Sequence, residues 1–409
     1  MLMAYIGPGV GISVSFFWGW IPTSIWWWIT LLIGLVWLKR HIDLLRGKQE
    51  PVLRPDEAGV KDAELPRLTV LVAAKDEEKN IDRCLDGLLT QQYPGLQVIA
   101  IDDRSQDATG QILDEYEKSD VRFKAVHIQE LTPGWFGKNH AMNAGIQQAS
   151  GEWFCLTDAD CVFESTDLLV AAMRYALREK VDFLSVLPRL EAGTFWERVI
   201  QPVAGAIMVF WFPPQKVNSD RSLRAYANGA FMLMPRKTYH TIGGHERVKA
   251  TLNEDMHMAR LVKENGLRLR VIRGGEMYHV RMYVGFKQIW RGWSRIFYGC
   301  FGTFGRLLVS VLMLSIFSVS PYLTLLLSPL AGENWGMYAV VSSFAILAQQ
   351  SILWPFYAIS GTRPAWALTY PIGASICLGM TLNAMGRLGG LVATTWRGTT
   401  YRGGSRTNS

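Results

Sequence analysis

The feature that most constrains this chain of 409 residues is the uneven placement of its charges. Residues 1–38 contain no Asp, Glu, Lys or Arg, and from Leu307 to Gly386 the only such residues are Glu333 and Arg363. Between these regions the sequence is charge-rich. That pattern predicts a water-exposed domain held between membrane segments. Ile21 to Leu38 would span ~27 Å as a helix, enough for a bilayer core. The basic cluster Lys39, Arg40, His41, Arg46 and Lys48 follows it. By the positive-inside rule this end is cytoplasmic and the N-terminus outside. No basic region precedes the apolar run, which disfavours a cleaved signal peptide.

Leu307–Leu330, Met337–Ile359 and Ala365–Met385 read as three further spans, with kinks expected at Pro321 and Pro355. Three spans after a cytoplasmic domain leave the C-terminus outside, whereas Arg387, Arg397, Arg402 and Arg406 in the tail favour inside. The alternatives are a misread stretch, either Leu307–Leu330 or Met1–Phe17, or a re-entrant segment. The net charge of +7 gathers near the apolar segments and suits anionic lipid. No nucleic-acid module is present, so no nucleic-acid partner is expected. Cys84, Cys155, Cys161, Cys300 and Cys377 are odd in number and lack metal spacing, and are read as reduced, mostly buried thiols.

From Leu68 the pattern becomes alternating strands and helices. Leu68–Ala73 is a buried-strand run, and Ile81, Leu85, Leu88 and Leu89 mark one helix face. Tyr93-Pro94-Gly95 turns into a second strand, Leu96–Ile101, which ends at Asp102-Asp103. A helix over about Ala108–Tyr116, a strand Phe123–Ile128 and a strand Glu152–Leu156 continue the series. Such alternation implies an α/β domain with a mainly parallel sheet, whose ligands bind at the strands' carboxyl ends. Asp102, Asp103, Asp158 and Asp160 fall there. Further strands are expected over Asp182–Leu187 and Ala230–Met234. Asp-x-Asp occurs in many surface loops, but at a strand's end two carboxylates can share a divalent cation, Mg²⁺ or Mn²⁺, with substrate phosphates as further ligands.

Three later stretches add to this. Phe195–Pro214 is nearly uncharged after Arg198 and interrupted by Pro202 and Gly205, so it is either an interfacial segment, such as the wall of a lipid tunnel, or a buried core helix. Asn253-Glu254-Asp255 opens a helix, with Asn253 as N-cap. The two acids can serve the site or simply favour the helix dipole. Phe286, Trp290, Trp293, Phe297, Phe301 and Phe304 form an aromatic stripe beside Lys287, Arg291 and Arg295. That suits a helix in the headgroup layer, or one whose cations meet a phosphate-bearing ligand. Together these elements describe a site for a phosphorylated, metal-bound donor beside a lipid acceptor. Asp160 with the metal, Arg291 and Arg295 would neutralise phosphate, and Asp255 would offer a carboxylate base.

At these residues, over about Pro66–Gly305, the chain resembles the family 2 inverting glycosyltransferases, whose fold is GT-A. Leu71-Val-Ala-Ala-Lys-Asp-Glu-Glu78 is similar to the family's first strand and Asn-Glu pair, with Asp76 at the Asn position. Ile101-Asp-Asp-Arg-Ser-Gln-Asp107 resembles its nucleotide loop, Thr157-Asp-Ala-Asp160 its Asp-x-Asp, and Glu254-Asp255 its Glu-Asp. Gln288-Ile-Trp-Arg291-Gly-Trp293 resembles Gln-x-x-Arg-Trp with one residue inserted before Trp293. The resemblance implies that Ala74, Glu77 and Asp102 or Asp103 bind uridine. It places Asp158 near the ribose and diphosphate, with Asp160 and Asp158 at the metal. Lys138 would approach the donor, Asp255 would be the base, and Gln288, Arg291 and Trp293 would hold the leaving diphosphate or the acceptor. His245 and His279 are read as structural.

Arg281-Met-Tyr283, Gly292-Trp-Ser294 and the tail Trp396–Tyr401 resemble membrane enzymes of carotenoid-acid and hopanoid pathways within the family. The expected organisation is a membrane segment (1–42), a linker (43–66), a GT-A catalytic domain (67–282), an amphipathic interfacial helix (283–306), three transmembrane helices (307–386) and a basic tail (387–409). The expected activity is transfer of a hexose from a nucleotide-sugar donor, a UDP-sugar, to a membrane lipid acceptor at the cell membrane, by a multi-pass protein with its catalytic domain in the cytoplasm. The alternatives are a processive polysaccharide synthase, which needs more spans and an intact Gln-x-x-Arg-Trp, and a scaffold that binds nucleotide sugar without turnover. A transporter is disfavoured by the near absence of intramembrane charge.

Overall fold

The computed structural model describes residues 23–46, 51–57, 59, 61–390, 394–396, 399–402 and 405–406. The segment Met1–Phe17, the first residues of the predicted Ile21–Leu38 span, Lys48, and Arg397 of the tail lie outside the described residues.

In chain order the strands are β1 (Leu68–Ala74), β2 (Leu96–Asp103), β3 (Phe123–Ile128), β4 (Trp153–Asp158), β5 (Cys161–Phe163), β6 (Phe183–Leu187), β7 (Arg189–Leu190), β8 (Met232–Pro235), β9 (Leu269–Arg273) and β10 (Tyr278–Val280). A seven-stranded sheet has the order β3-β2-β1-β4-β8-β6-β9. Its pairs are parallel except where β8 runs antiparallel between β4 and β6. A small sheet, β5-β10-β7, lies beside it. Alternate residues of β1 face opposite layers. Val70 and Val72 pack in one apolar cluster with Ile81, Leu85 and Met173, and Leu71 in another with Ala141, Met142 and Met258.

The main helices are α1 (Thr23–Arg46), α2 (Ile81–Leu89), α3 (Thr109–Ser119), α4 (Gly137–Gln147), α5 (Leu168–Arg178), α6 (Phe195–Trp211), α7 (Glu254–Glu264), α8 (Gly285–Phe301), α9 (Phe304–Met313), α10 (Trp335–Ile359) and α11 (Tyr370–Leu388). In α2 the buried residues are Ile81, Cys84, Leu85 and Leu88, the face the periodicity predicts. The predicted helix over Ala108–Tyr116 is α3, shifted toward its C-terminus.

A third apolar cluster is purely helical. Val199 and Val203 of α6, Ile289 and Phe297 of α8, Leu307 of α9, Tyr357 of α10 and Ala374 of α11 share it. Thus α6 leaves the α/β core and packs with the C-terminal helices. It stays helical through Pro202 because the packing holds it. A Cβ at Gly373 of α11 would come within 2.4 Å of the Val199 carbonyl, so the backbones meet there. The stretch is a helix with two faces, Val199 and Ile200 buried as a core helix requires and Phe195, Trp196, Val209 and Phe210 exposed.

Glu197, fully buried, ties α6 to α8. It accepts from Gly193 N at 2.6 Å, Thr194 Oγ1 at 2.6 Å and Gly285 N at 3.3 Å, with Arg281 alongside. Burial alone would raise its carboxyl, but the bonds from Thr194, Gly193, Arg281 and Gly285 hold it below the usual range.

Three helical stretches, Phe304–Leu330, Gly332–Ile359 and Pro364–Leu388, are long and apolar enough to cross a membrane. Pro321 lacks the N–H that would continue the ladder, and the turn before it, Leu314–Val319, widens to a π-helix. Helix α10 runs unbroken through Pro355. Among the described residues α1 is not one of the three. It packs along α10, where a Cβ at Gly34 would meet the Phe344 ring, and Trp26 and Trp37 donate to Thr324 Oγ1 and the Phe317 carbonyl, both at 3.0 Å. The five cysteines are free and buried.

Candidate active site

The parallel register brings the strand ends level. Ala74 pairs with Asp102 and Ala73 with Asp158. The loops that follow β1 and β2 are laced together. Asp76 donates its N–H to Ser105 Oγ at 3.0 Å and accepts from Gln106 N at 2.8 Å. Glu77 N donates to Thr109 Oγ1 at 2.8 Å and Glu78 N to Asp107 Oδ2 at 3.1 Å. Asp76 has φ +53°, a left-handed conformation that Asn and Asp tolerate best. The replacement of Asn by Asp at this position therefore keeps the turn.

The two acids that end β2 part ways. Asp102 accepts from Ser105 N at 2.9 Å and faces His127, with Gly110 packed close against its carboxylate. It orders the loop. Asp103 is held by Arg104 Nη2 at 2.7 Å and lines the main cleft with it.

The centre is built around Lys138, at the start of α4. Its Nζ lies 2.6 Å from Asp158 Oδ1 and 2.7 Å from Glu254 Oε1. Burial opposes the ammonium charge, but Asp158 and Glu254 raise its pKa and keep it protonated. Asp255, next along α7, accepts from Gly229 N at 3.0 Å and Met256 N at 2.7 Å. Burial, and then the neighbouring Glu254, push its carboxyl up to about 7. A Cβ on Gly229 would lie 3.1 Å from Lys138 Nζ and 3.7 Å from both Asp158 Oδ2 and Asp255 Oδ2. The space above this glycine is therefore the one that all three groups face. Asp160 is pushed up to about 7 by burial, then by Asp158 and Glu77. Among the described residues no group of three or more His, Cys, Asp or Glu converges as a metal cage.

A single cleft of about 960 Å³ runs through this centre. At one end it is lined by Ala74, Glu77, Asp103 and Arg104, and in the middle by Lys138, Asp158, Asp160 and Asp255. Its far end is largely apolar, with Met208, Val209 and Phe212 from α6 and the segment after it, and Trp293, Ile296 and Cys300 from α8. Trp293 is 5% exposed, and its indole Nε1 is buried without a hydrogen-bond partner among the described residues. Gln288 lines the cleft while accepting from Val284 N at 2.8 Å, which fixes the start of α8.

Of the predicted residues, two do not join the lining. Asp102 faces away, as described, and Arg291 is exposed on the outer face of α8, leaving Arg295, one turn on, as the α8 arginine in the wall. The N-cap position of α7 is Asn253, yet its side chain does not cap; it reaches Cys300 Sγ at 3.1 Å and packs on Gly299. The aromatic stripe ends at Phe301, because Gly302 (φ +61°) stops α8 and Phe304 starts α9. Neither His245, buried against Tyr239, nor His279, between Glu164 and Glu191, is in the cleft lining. Gly229 and Arg104 were not foreseen. Gly229 sits in an Asn228-Gly229 turn ahead of β8, a string that marks a turn but no chemistry, and Arg104 takes its place from φ +58°.

A family model described as "Glycosyltransferase like family 2" matches residues 66–289. The chain belongs to this family, and its mostly parallel α/β fold is GT-A-like. It is a transferase enzyme of the glycosyltransferase type. Among curated relatives, the 4,4'-diaponeurosporenoate glycosyltransferase of Staphylococcus aureus (strain USA300) is 26% identical over 265 residues, which is 64% of this chain and 69% of that protein. Among solved structures, a mannosyltransferase from Pyrobaculum calidifontis in complex with GDP-Man and Mn²⁺ aligns with a TM-score of 0.49 and 18% identity, covering 87% of this chain and 95% of that one.

Proposed function

We propose that this chain transfers a sugar from a UDP-sugar to a membrane lipid acceptor, such as a carotenoid acid or hopanoid, with inversion at the anomeric carbon. One observation carries the reading. A single cleft is polar and acidic at the strand ends and apolar where it meets the helices that pack with the C-terminal segments. A water-soluble donor and a lipid acceptor enter such a cleft from opposite ends.

On this reading the donor's base rests among Ala74, Glu77 and Asp103, with Asp102 ordering their loop. The diphosphate lies toward Asp158, Lys138 and Arg295, and the unpartnered Trp293 Nε1 offers a further donor to it or to the acceptor. Asp158 and Asp160 suit a hard divalent cation: burial first, and then repulsion from Asp158, raise Asp160, a charge excess a cation would relieve, and Mg²⁺ or Mn²⁺ commonly takes one or two protein carboxylates and completes its shell with phosphates. Bound there, it supplies Lewis-acid charge to the leaving diphosphate. Asp255, oriented by the Gly229 and Met256 amides, accepts the acceptor's proton at Oδ1 or Oδ2 as the acceptor oxygen attacks in line. Lys138 holds Glu254 and Asp158 in register with it.

The three helices long and apolar enough to cross a membrane support a multi-pass protein, and the proposal puts its catalytic domain on the cytoplasmic side, where nucleotide sugars are made. The test is UDP release by the detergent-purified full chain from UDP-glucose with Mn²⁺ and a lipid extract, with mass spectrometry of the lipid product. Metal-dependent release that needs lipid and yields one added hexose supports the reading. Polymeric product would replace it with the processive synthase. Tight UDP binding without turnover from any common UDP-sugar would replace it with the scaffold.

A further inference from the structure

A second cavity lies outside the catalytic cleft. The turn at residues 360–363 joins the second and third candidate spans and folds back onto the catalytic domain, where Gly361 packs on the Arg189 side chain. Beside this contact is a cavity of about 260 Å³ lined by Ala192, Arg198, Gly361, Thr362, Arg363 and Trp366. Its wall carries two guanidinium groups and no acid. Arg198 is held over the Trp366 ring at 5.5 Å and donates Nε to the Ala192 carbonyl at 3.1 Å. Among the described residues neither arginine forms an ion pair with a carboxylate.

Arg363 is one of two formally charged residues between Leu307 and Gly386. A cation kept in so apolar a stretch, and left without an acid, marks a site for an anion. The surroundings say which kind. Phe195 and Trp196 are exposed and meet Trp366 and Phe286 edge to face, with ring centroids 5.5 and 5.1 Å apart, and Leu368, two residues after Trp366, is exposed too. An aromatic rim at the ends of two apolar helices belongs at headgroup level. The planar forks of two arginines, in a wall that also includes Thr362, match the tetrahedral oxygens of phosphate better than any uncharged group.

We propose that this cavity binds a phosphate group, presented by an anionic lipid headgroup or by free phosphate, at the junction of the catalytic domain and the last two apolar helices. The site stands apart from the donor and acceptor reading above and does not depend on it.

The experiment is thermal unfolding of the detergent-purified full chain with added phosphatidylglycerol, phosphatidylcholine or inorganic phosphate. Wild type is compared with Arg363→Gln and the charge-retaining Arg363→Lys. Arg363 is exposed, so the substitutions leave packing intact, and the lipid-free midpoint of each variant checks this. The expected result is an upward shift of a few degrees with phosphatidylglycerol in wild type, at least halved in Arg363→Gln, largely kept in Arg363→Lys, and absent with phosphatidylcholine. A shift with inorganic phosphate that shows the same dependence on Arg363 assigns the site to the free anion. Equal responses of wild type and Arg363→Gln to both phosphatidylglycerol and phosphate overturn the proposal.

Discussion

The two ends of the main cleft are held in different ways. At the strand ends, side chains are fixed by hydrogen bonds to backbone: Asp76, Glu78, Asp102 and Asp107 each tie one loop to its neighbour or to itself. At the far end, α6 and α8 present apolar side chains that are fixed by packing, with Phe297 stacked on Phe301 at 5.4 Å and Trp211 beside Phe301 at 5.8 Å. Hydrogen bonds with fixed directions suit chemistry, where small displacements are costly. Packed helices with exposed apolar flanks suit a ligand recognised by shape and burial. The difference teaches that substitutions at the first end should change rate, and at the second end the use of acceptor.

The largest expected break is Asp255→Asn, which on the proposed function removes the general base and should lower kcat by about 10³-fold with donor affinity retained. In wild type, with Asp255 pushed up to about 7, kcat/KM should climb about tenfold per pH unit toward pH 7 and level off above it. Stability should run the other way. The folded carboxyl binds its proton more tightly than the unfolded one, whose ordinary value is 3.8, so its contribution is complete below about pH 4 and is lost as pH rises through about 7. Unfolding midpoints of ligand-free wild type and Asp255→Asn across that range measure this, and parallel curves would break the assignment.

Next comes Gly229→Ala, whose added methyl enters the space between Lys138, Asp158 and Asp255. It should lower kcat by about 10²-fold while the protein folds normally, as circular dichroism would report. At the other end, Val209→Asp puts a charge on a partly exposed wall residue and should raise the acceptor KM roughly tenfold with donor KM unchanged. A drop in kcat alone would erase the distinction between the ends. The smallest effect should be that of Arg291→Ala, within about twofold in both constants, because its side chain is exposed outside the cleft. Arg295→Ala should exceed it.

What was legible in the sequence follows the same division. β1, β2 and β4 announce themselves as apolar runs, β2 and β4 closed by acids, and Asp158, Asp160 and Asp255 sit in short strings that the chain keeps together. The choice between Asp102 and Asp103 was not legible, because it depends on Ser105 and His127 taking one of them. Lys138 is placed near the donor by the resemblance alone, since its own string reads equally as a loop lysine; its ion pairs come from two acids in other segments. The end of α8 was overrun because the aromatic spacing continues through Gly302, which only backbone conformation marks as a stop. Helix α6 was ambiguous because Pro202 argues locally against a helix that tertiary packing sustains.

The cleft that spans both ends has a kinetic consequence. A lipid acceptor of the kind proposed, entering from the apolar end, would meet the enzyme in two dimensions, and its mole fraction among lipids would be the quantity that saturates the site. Diluting a fixed amount of acceptor with inert lipid or detergent should then slow turnover as strongly as removing it, while the donor keeps an ordinary molar KM.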